Sequence, residues 1–173
     1  MEEAPFAADI PAYETLALLG RLVETAVNRS LQQQAGITWE EYLTLSHLHR
    51  NPHHFLHMTE LATRLGFSRS RVSRAVARQE LRGLITRSAC PRDARAAHAT
   101  VTEQGVTFLL QIRSTYEAAV RSCLTELRVG ADRMEVLAKQ LHPLTDHYGR
   151  PAALTGCVGA PTPQCRPLAI TER

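Results

Sequence analysis

Aromatic residues are scarce in this chain, 5% of its 173 positions, while Leu, Ala and Arg are plentiful, which favours a mostly helical protein. No stretch approaches the roughly 18 consecutive apolar residues of a membrane span. The opening MEEAPFAADIP lacks the charged-then-apolar pattern of a secretory signal, so a cytoplasmic protein with no membrane partner is expected. The four cysteines, Cys90, Cys123, Cys157 and Cys165, show no CxxC spacing and sit in dissimilar contexts. They read as reduced thiols, neither a disulfide framework nor a zinc site. There is no nucleophile–base–acid constellation, no phosphate-binding glycine loop and no tight metal quartet. Nothing therefore asks for an enzyme or a cofactor.

The formal net charge is only +3, and that figure hides an asymmetry. Residues 58–101 carry nine arginines against Glu60, Glu80 and Asp93, a local excess of six positive charges. The other eleven basic and fourteen acidic residues sum to −3. A basic centre with acidic flanks fits an anion-binding surface held in place by helical arms. The length suits one domain, or a small module with dimer-forming helices attached.

The basic centre is organised around GFSRSRVSRAVARQELRG, residues 66–83. Gly66 ends one helix, Ser68 offers a hydroxyl to cap the next, and Gly83 stops it. Val72 and Val76 share a buried face, while Arg71, Arg74 and Arg78 spread over the opposite one. Ordinary solvated faces mix charge signs, and this one is nearly all positive. Such a helix suits a DNA major groove.

Taken in order, residues 12–35 predict a first helix, with Leu16, Leu19, Val23 and Val27 in periodic register and Leu18 and Leu22 widening the stripe. A band so broad needs partners on more than one side. Gly36 closes it. Thr38 and Glu41 form a capping box for a second helix burying Trp39, Tyr42, Leu43 and Leu45, which Asn51-Pro52 stops. Thr59 caps a short third helix that leads through Gly66-Phe67 into the arginine helix, making a helix-turn-helix. LITRS and AHATVT read as a strand pair around a polar turn, CPRDARA. Thr102 then caps a long helix, 103–128, of near-heptad rhythm. A last helix is expected over 131–147, interrupted near Pro143. The Pro- and Gly-rich residues 148–173 read as a mobile tail and residues 1–11 as a flexible N-terminus.

Two helices, a helix-turn-helix, a hairpin and two further helices resemble the MarR family of bacterial winged-helix regulators. The residues carrying the resemblance are MTELATRLGFSRSRVSRAVARQELRGLITR and PRDARAAHATVTEQG, the latter similar to the family's D-x-R wing turn and following helix start. The resemblance implies a mainly α fold, α+β only by its small wing, with one MarR-like domain over 12–147. Residues 12–50 and 103–147 would be dimerisation helices and 53–102 the winged DNA-binding lobe. It also implies an obligate homodimer, a pseudo-palindromic double-stranded operator near its own promoter, and release by small phenolic or aromatic effectors. Two positions depart from the family pattern. Gln79 stands on the buried face where an apolar residue is usual, and Ala96 follows Arg95 where glycine is frequent.

On this reading Ser68, Arg69, Ser70, Arg71, Ser73 and Arg74 present the DNA-reading surface, with Arg71 and Arg74 suited to guanine edges. Arg78 and Thr59 would hold phosphates. Arg95 is the candidate minor-groove reader, Arg92 the phosphate contact beside it, and Asp93 the residue that orients Arg95 or holds the turn. Trp39, Tyr42, Arg113 and Tyr116 are the candidate ligand-binding residues. Arg113 serves there as counter-ion to an anionic aromatic, or else simply snorkels at a dimer seam. His47, His53, His54 and His57 are the residues a metal would use. Their run straddles Asn51-Pro52 without an i,i+4 ligand pair, so it reads as an exposed polar loop and no metal site is assigned. Cys90, between Arg87 and Arg92, is the candidate thiol for oxidation sensing. The leading expectation is thus a ligand-released repressor. The alternatives are an effector-independent regulator, or a metal- or redox-responsive member of the same family.

Overall fold

The computed structural model describes residues 9–90, 93–126, 128, 130, 132–133, 135–136 and 138–140. Its elements run α1 (Asp9–Ala35), α2 (Trp39–Arg50), β1 (Phe55–His57), α3 (Met58–Leu65), α4 (Arg69–Leu81), β2 (Ile85–Cys90), β3 (Asp93–Val101) and α5 (Glu103–Glu126). These residues divide into two compact units. One holds residues up to Trp39 together with Ile112–Gly130, and the other holds Glu40–Gln111 and the described residues beyond 131.

In the first unit α1 begins at Asp9, three residues ahead of the expected start. Pro11 is tolerated there because a first-turn amide has no intrahelical acceptor to lose. Gly36, at φ +62°, ends the helix, and the Trp39 amide donates to Asn28 Oδ1 at 2.9 Å. Val27, Leu31 and Ile37 are buried, as are Ile112, Ala119 and Cys123 from α5. The N-terminal half of α1 is different. Ile10, Tyr13, Leu16, Leu18 and Leu22 are 48–70% exposed, so among the described residues nothing covers that part of the apolar stripe.

The second unit is built on a three-stranded antiparallel sheet in the order β1-β3-β2. Phe55, Leu56 and His57 pair with Thr100, Ala99 and His98. This strand corrects the polar-loop reading of the histidine run: Phe55 and Leu56 are buried, and the loop proper is confined to residues 51–54. An Asx turn holds that loop, with the His53 amide 3.0 Å from Asn51 Oδ1. The hairpin strands are longer than expected, β2 reaching Cys90 and β3 starting at Asp93. The β2·β3 register is irregular between Ala89 and Cys90.

Because β1 runs directly into α3, the third helix starts at Met58 and its N-cap is His57, without a side-chain bond. Thr59 is therefore inside the first turn and is not the cap. Gly66 ends α3 in the left-handed conformation, and Ser68 Oγ accepts from the Arg71 amide at 3.3 Å to start α4. At the far end Gly83 turns at φ +70°. Thr102 then links two elements: its Oγ1 donates to the Gly83 carbonyl at 2.7 Å and accepts from the Gly105 amide at 3.0 Å. The start of α5 is thereby fixed against the end of α4.

The buried face of α4 is Val72, Ala75, Val76 and Gln79. Gln79 is fully buried, as its position three residues after Val76 predicts. Its Nε2 reaches only the Ala75 carbonyl, at 3.4 Å, and its Oε1 has no partner. An unsatisfied buried acceptor costs about 1–3 kcal/mol. Gln79→Leu, which keeps the volume and removes the amide, is expected to raise stability by about 1 kcal/mol or more in urea titration; a lower midpoint would show that the amide is needed. The expectations for residues 131–147 fall largely, and those for 1–8 and 148–173 wholly, outside the described residues.

Candidate nucleic-acid interface

α3, the turn at Gly66 and α4 form the helix-turn-helix, and β2 and β3 stand beside it as the wing. The N-terminal turns of α4 are open to solvent. Ser68, Arg69, Ser70, Ser73 and Arg74 are all exposed. Ser70 Oγ lies 3.2 Å from Ser68 Oγ, and Arg74 Nε sits 3.4 Å from the Ser70 carbonyl. Arg74 occupies the middle of the outer face, opposite Val72 and Val76.

Arg71 and Arg78 are paired with carboxylates of α2, Arg71 partly buried and Arg78 still 51% exposed. Arg71 Nε and Nη2 both reach Glu40 Oε1, at 2.8 and 2.6 Å, and its guanidinium lies 4.3 Å over the Phe67 ring. Arg78 Nε donates to Glu41 Oε1, and Glu41 is only 4% exposed. Arg82 packs over Phe108 at 4.8 Å. On the wing side, Arg87 of β2 reaches back to Glu80 of α4 at 2.5–2.7 Å.

Thr59, half-buried, joins His57, Met58, Arg69, Ser73, Arg87 and Ala97 around a cleft of about 290 Å³ between the N-terminus of α3, α4 and the sheet. Its donors suit an anion such as a backbone phosphate. The backbones of Asp93 and Arg95 lie in β3, but their side chains, Arg92 and the Cys90 thiol fall outside the described residues.

His98, absent from the sequence reading, is buried in β3 with its Nε2 3.2 Å from His57 Nε2. One nitrogen of that pair must carry the hydrogen and the other the lone pair. Burial, and then the charge of His57, push the His98 pKa down. Burial, followed by Arg50 and Arg64, does the same to His47. Both imidazoles thus resist protonation when folded. Below their ordinary value of 6.5 the unfolded chain binds more protons, so stability is lost as the pH is lowered. The melting temperature is expected to drop between pH 7 and pH 5; an unchanged slope in a His47→Gln/His98→Gln double variant would refute this origin.

His53 and His54 are exposed in the 51–54 loop, and His54 Nδ1 lies 3.1 Å from the His49 carbonyl. Among the described residues no group of three or more His, Cys, Asp or Glu is placed to hold a metal. Of the ligand candidates, Trp39, Arg113 and Tyr116 belong to the first unit and Tyr42 to the second. Tyr42 is buried, Trp39 and Tyr116 half-buried, and Arg113 is exposed with its Nε 2.9 Å from Glu117. Cys123 is buried, and burial, then Glu126, push its thiol pKa up. Among the described residues no helix is long and apolar enough to cross a membrane.

The helix-turn-helix, its basic exposed face and the β2–β3 wing define a winged-helix protein of the DNA-binding regulator class. The model of the MarR family matches residues 35–96. The solved structure of Sco3205, a MarR family transcriptional regulator from Streptomyces coelicolor in complex with DNA, is similar at 28% identity and a TM-score of 0.69, over 88% of this chain and 94% of that one. AbsC, a MarR family transcriptional regulator from the same organism, is similar at 27% identity and a TM-score of 0.66, over 84% of this chain and 97% of that one. CouR from Rhodococcus jostii RHA1, solved bound to p-coumaroyl-CoA, shares the fold at 20% identity and a TM-score of 0.62, over 80% and 91% of the two chains. No curated protein matches by sequence. The chain is thus similar to MarR family transcriptional regulators, the family model covering its residues 35–96.

Proposed function

We propose that the chain is a homodimeric, sequence-specific repressor whose α4 enters the major groove and whose DNA hold is released by a small aromatic compound. The observation that carries the reading is the exposed first half of α4, where Arg69, Ser70, Ser73 and Arg74 present donors beside a wing. Supporting a homodimer is the uncovered apolar half of α1, since exposed aliphatic patches of that kind mark association surfaces. Thr59 and the cleft beside it would take a phosphate, and Arg92, Asp93 and Arg95 would place the wing in the minor groove. Supporting an effector is the bound p-coumaroyl-CoA of CouR, a protein of the same fold; Trp39, Tyr42, Arg113 and Tyr116 are the residues assigned to it.

Two symmetry-related copies of α4 must reach successive major grooves about 34 Å apart, so the bound site should be an inverted repeat. Footprinting of genomic fragments selected by the protein tests this, and protection without two-fold symmetry would sink the dimeric reading. A thermal-shift screen of aromatic acids tests the effector. A compound that raises the melting temperature and weakens DNA binding supports release, whereas one that stabilises the protein without touching DNA affinity opposes it.

A further inference from the structure

Arg71 and Arg78 stand seven residues apart, two turns of α4, and so share one edge of that helix. Each meets a carboxylate there, and the two carboxylates come from adjacent residues, Glu40 and Glu41, in the first turn of α2. The contacts differ in character from a surface ion pair. Arg71 brings two N–H groups to a single oxygen of Glu40 and lies flat over Phe67, so its guanidinium plane is fixed from two sides. Glu41 is buried, and a carboxylate at that depth does not give up its cation without leaving a charge uncompensated. An arginine carries five N–H donors, so one carboxylate does not exhaust it. Both pairs therefore suit retention when DNA is bound, in contrast to carboxylates that DNA displaces.

The geometry points to Glu40 as a specificity-determining positioning residue, which sets the Arg71 guanidinium in one orientation for a base edge while Glu41 holds Arg78 beside the backbone. This inference rests on the DNA-reading role of α4. It separates two functions of one arginine row: Arg74 reads from the outer face, and Arg71 reads from an edge only because α2 aims it. The two carboxylates also offset part of the positive field of α4, which limits sequence-independent attraction to DNA without removing the arginines from it.

The test begins with the duplex that the wild-type protein selects from a random pool, and a scrambled duplex of the same composition. Glu40→Gln is expected to weaken binding to the selected duplex by about tenfold. Its affinity for the scrambled duplex should be unchanged or higher, because one negative charge is gone. In an Arg71→Ala background, Glu40→Gln should change the ratio of the two affinities no further. Equal tightening on both duplexes would reduce Glu40 to a repelling charge and overturn the proposal, as would a ratio loss of the same size without Arg71. Glu40→Asp, which keeps the charge but shortens the reach, guards against unfolding: it should also lower the ratio while melting as the wild type does, and an unaltered ratio overturns the proposal. A wild-type protein that selects no preferred duplex would instead defeat the DNA-reading role itself, and the proposal with it.

Discussion

Gly105→Ala is expected to destabilise the protein by at least about 3 kcal/mol, lowering the melting temperature by about 6–12 °C. On propensity alone the sign would be opposite, because alanine in a helix interior is better than glycine by about 1 kcal/mol. The close approach of the chain decides otherwise. A Cβ at Gly105 would lie 2.1 Å from the Leu84 carbonyl oxygen, 3.0 Å from its carbon and 2.9 Å from Val101 Cγ2. Leu84 O already accepts from the Thr102 amide at 3.1 Å, so the carbonyl cannot swing aside without breaking the junction that fixes α5 to α4. Gly20 of α1 provides the contrast, with nothing within 4 Å of its would-be Cβ. Gly20→Ala should raise the melting temperature slightly. If both variants move it the same way, contact at Leu84 does not decide the matter.

Arg74→Ala should narrow the difference between the selected and a scrambled duplex by about 1–3 kcal/mol, roughly 5- to 150-fold in the affinity ratio. Arg74 is the arginine at the centre of the outer face, anchored only through Nε to its own helix at the Ser70 carbonyl, so its loss leaves the fold alone. An unchanged melting temperature with a reduced ratio is the expected signature. Arg78→Ala should behave differently. It should weaken binding to every sequence and lower the salt slope by about one, because a phosphate contact carries no sequence information. It should also lower the melting temperature, since the buried Glu41 carboxylate loses its partner. Equal effects of the two variants on selected and scrambled duplexes would refute the division of roles.

Much of the second unit was legible in the chain because its signals are local. Gly66, Ser68 and Gly83, and Thr102 through the Gly105 amide, act within a few residues, and the structure shows each at the expected boundary. Gln79 was legible as a buried amide because helical periodicity alone puts it with Val72 and Val76. The outer face of α4, with Arg74 at its middle, followed from the same periodicity.

Pairings across the chain were not legible. β1 is three residues long, too short for an alternating pattern, and exists because β3 offers it a ladder. Its pairing also moved the start of α3 ahead of Thr59. His57 and His98 are 41 positions apart, Glu40 and Arg71 are 31 apart, and Glu41 and Arg78 are 37 apart. Glu41 could be read as a capping residue from its distance to Thr38, yet nothing local indicates which arginine it meets. Helix starts and stops and the charged face of α4 are written into local residue order, since hydrogen-bond caps and residue periodicity act over one or two turns. Which of those arginines are held by α2 emerges only from packing, because ion pairing depends on distant segments and leaves no mark in local spacing.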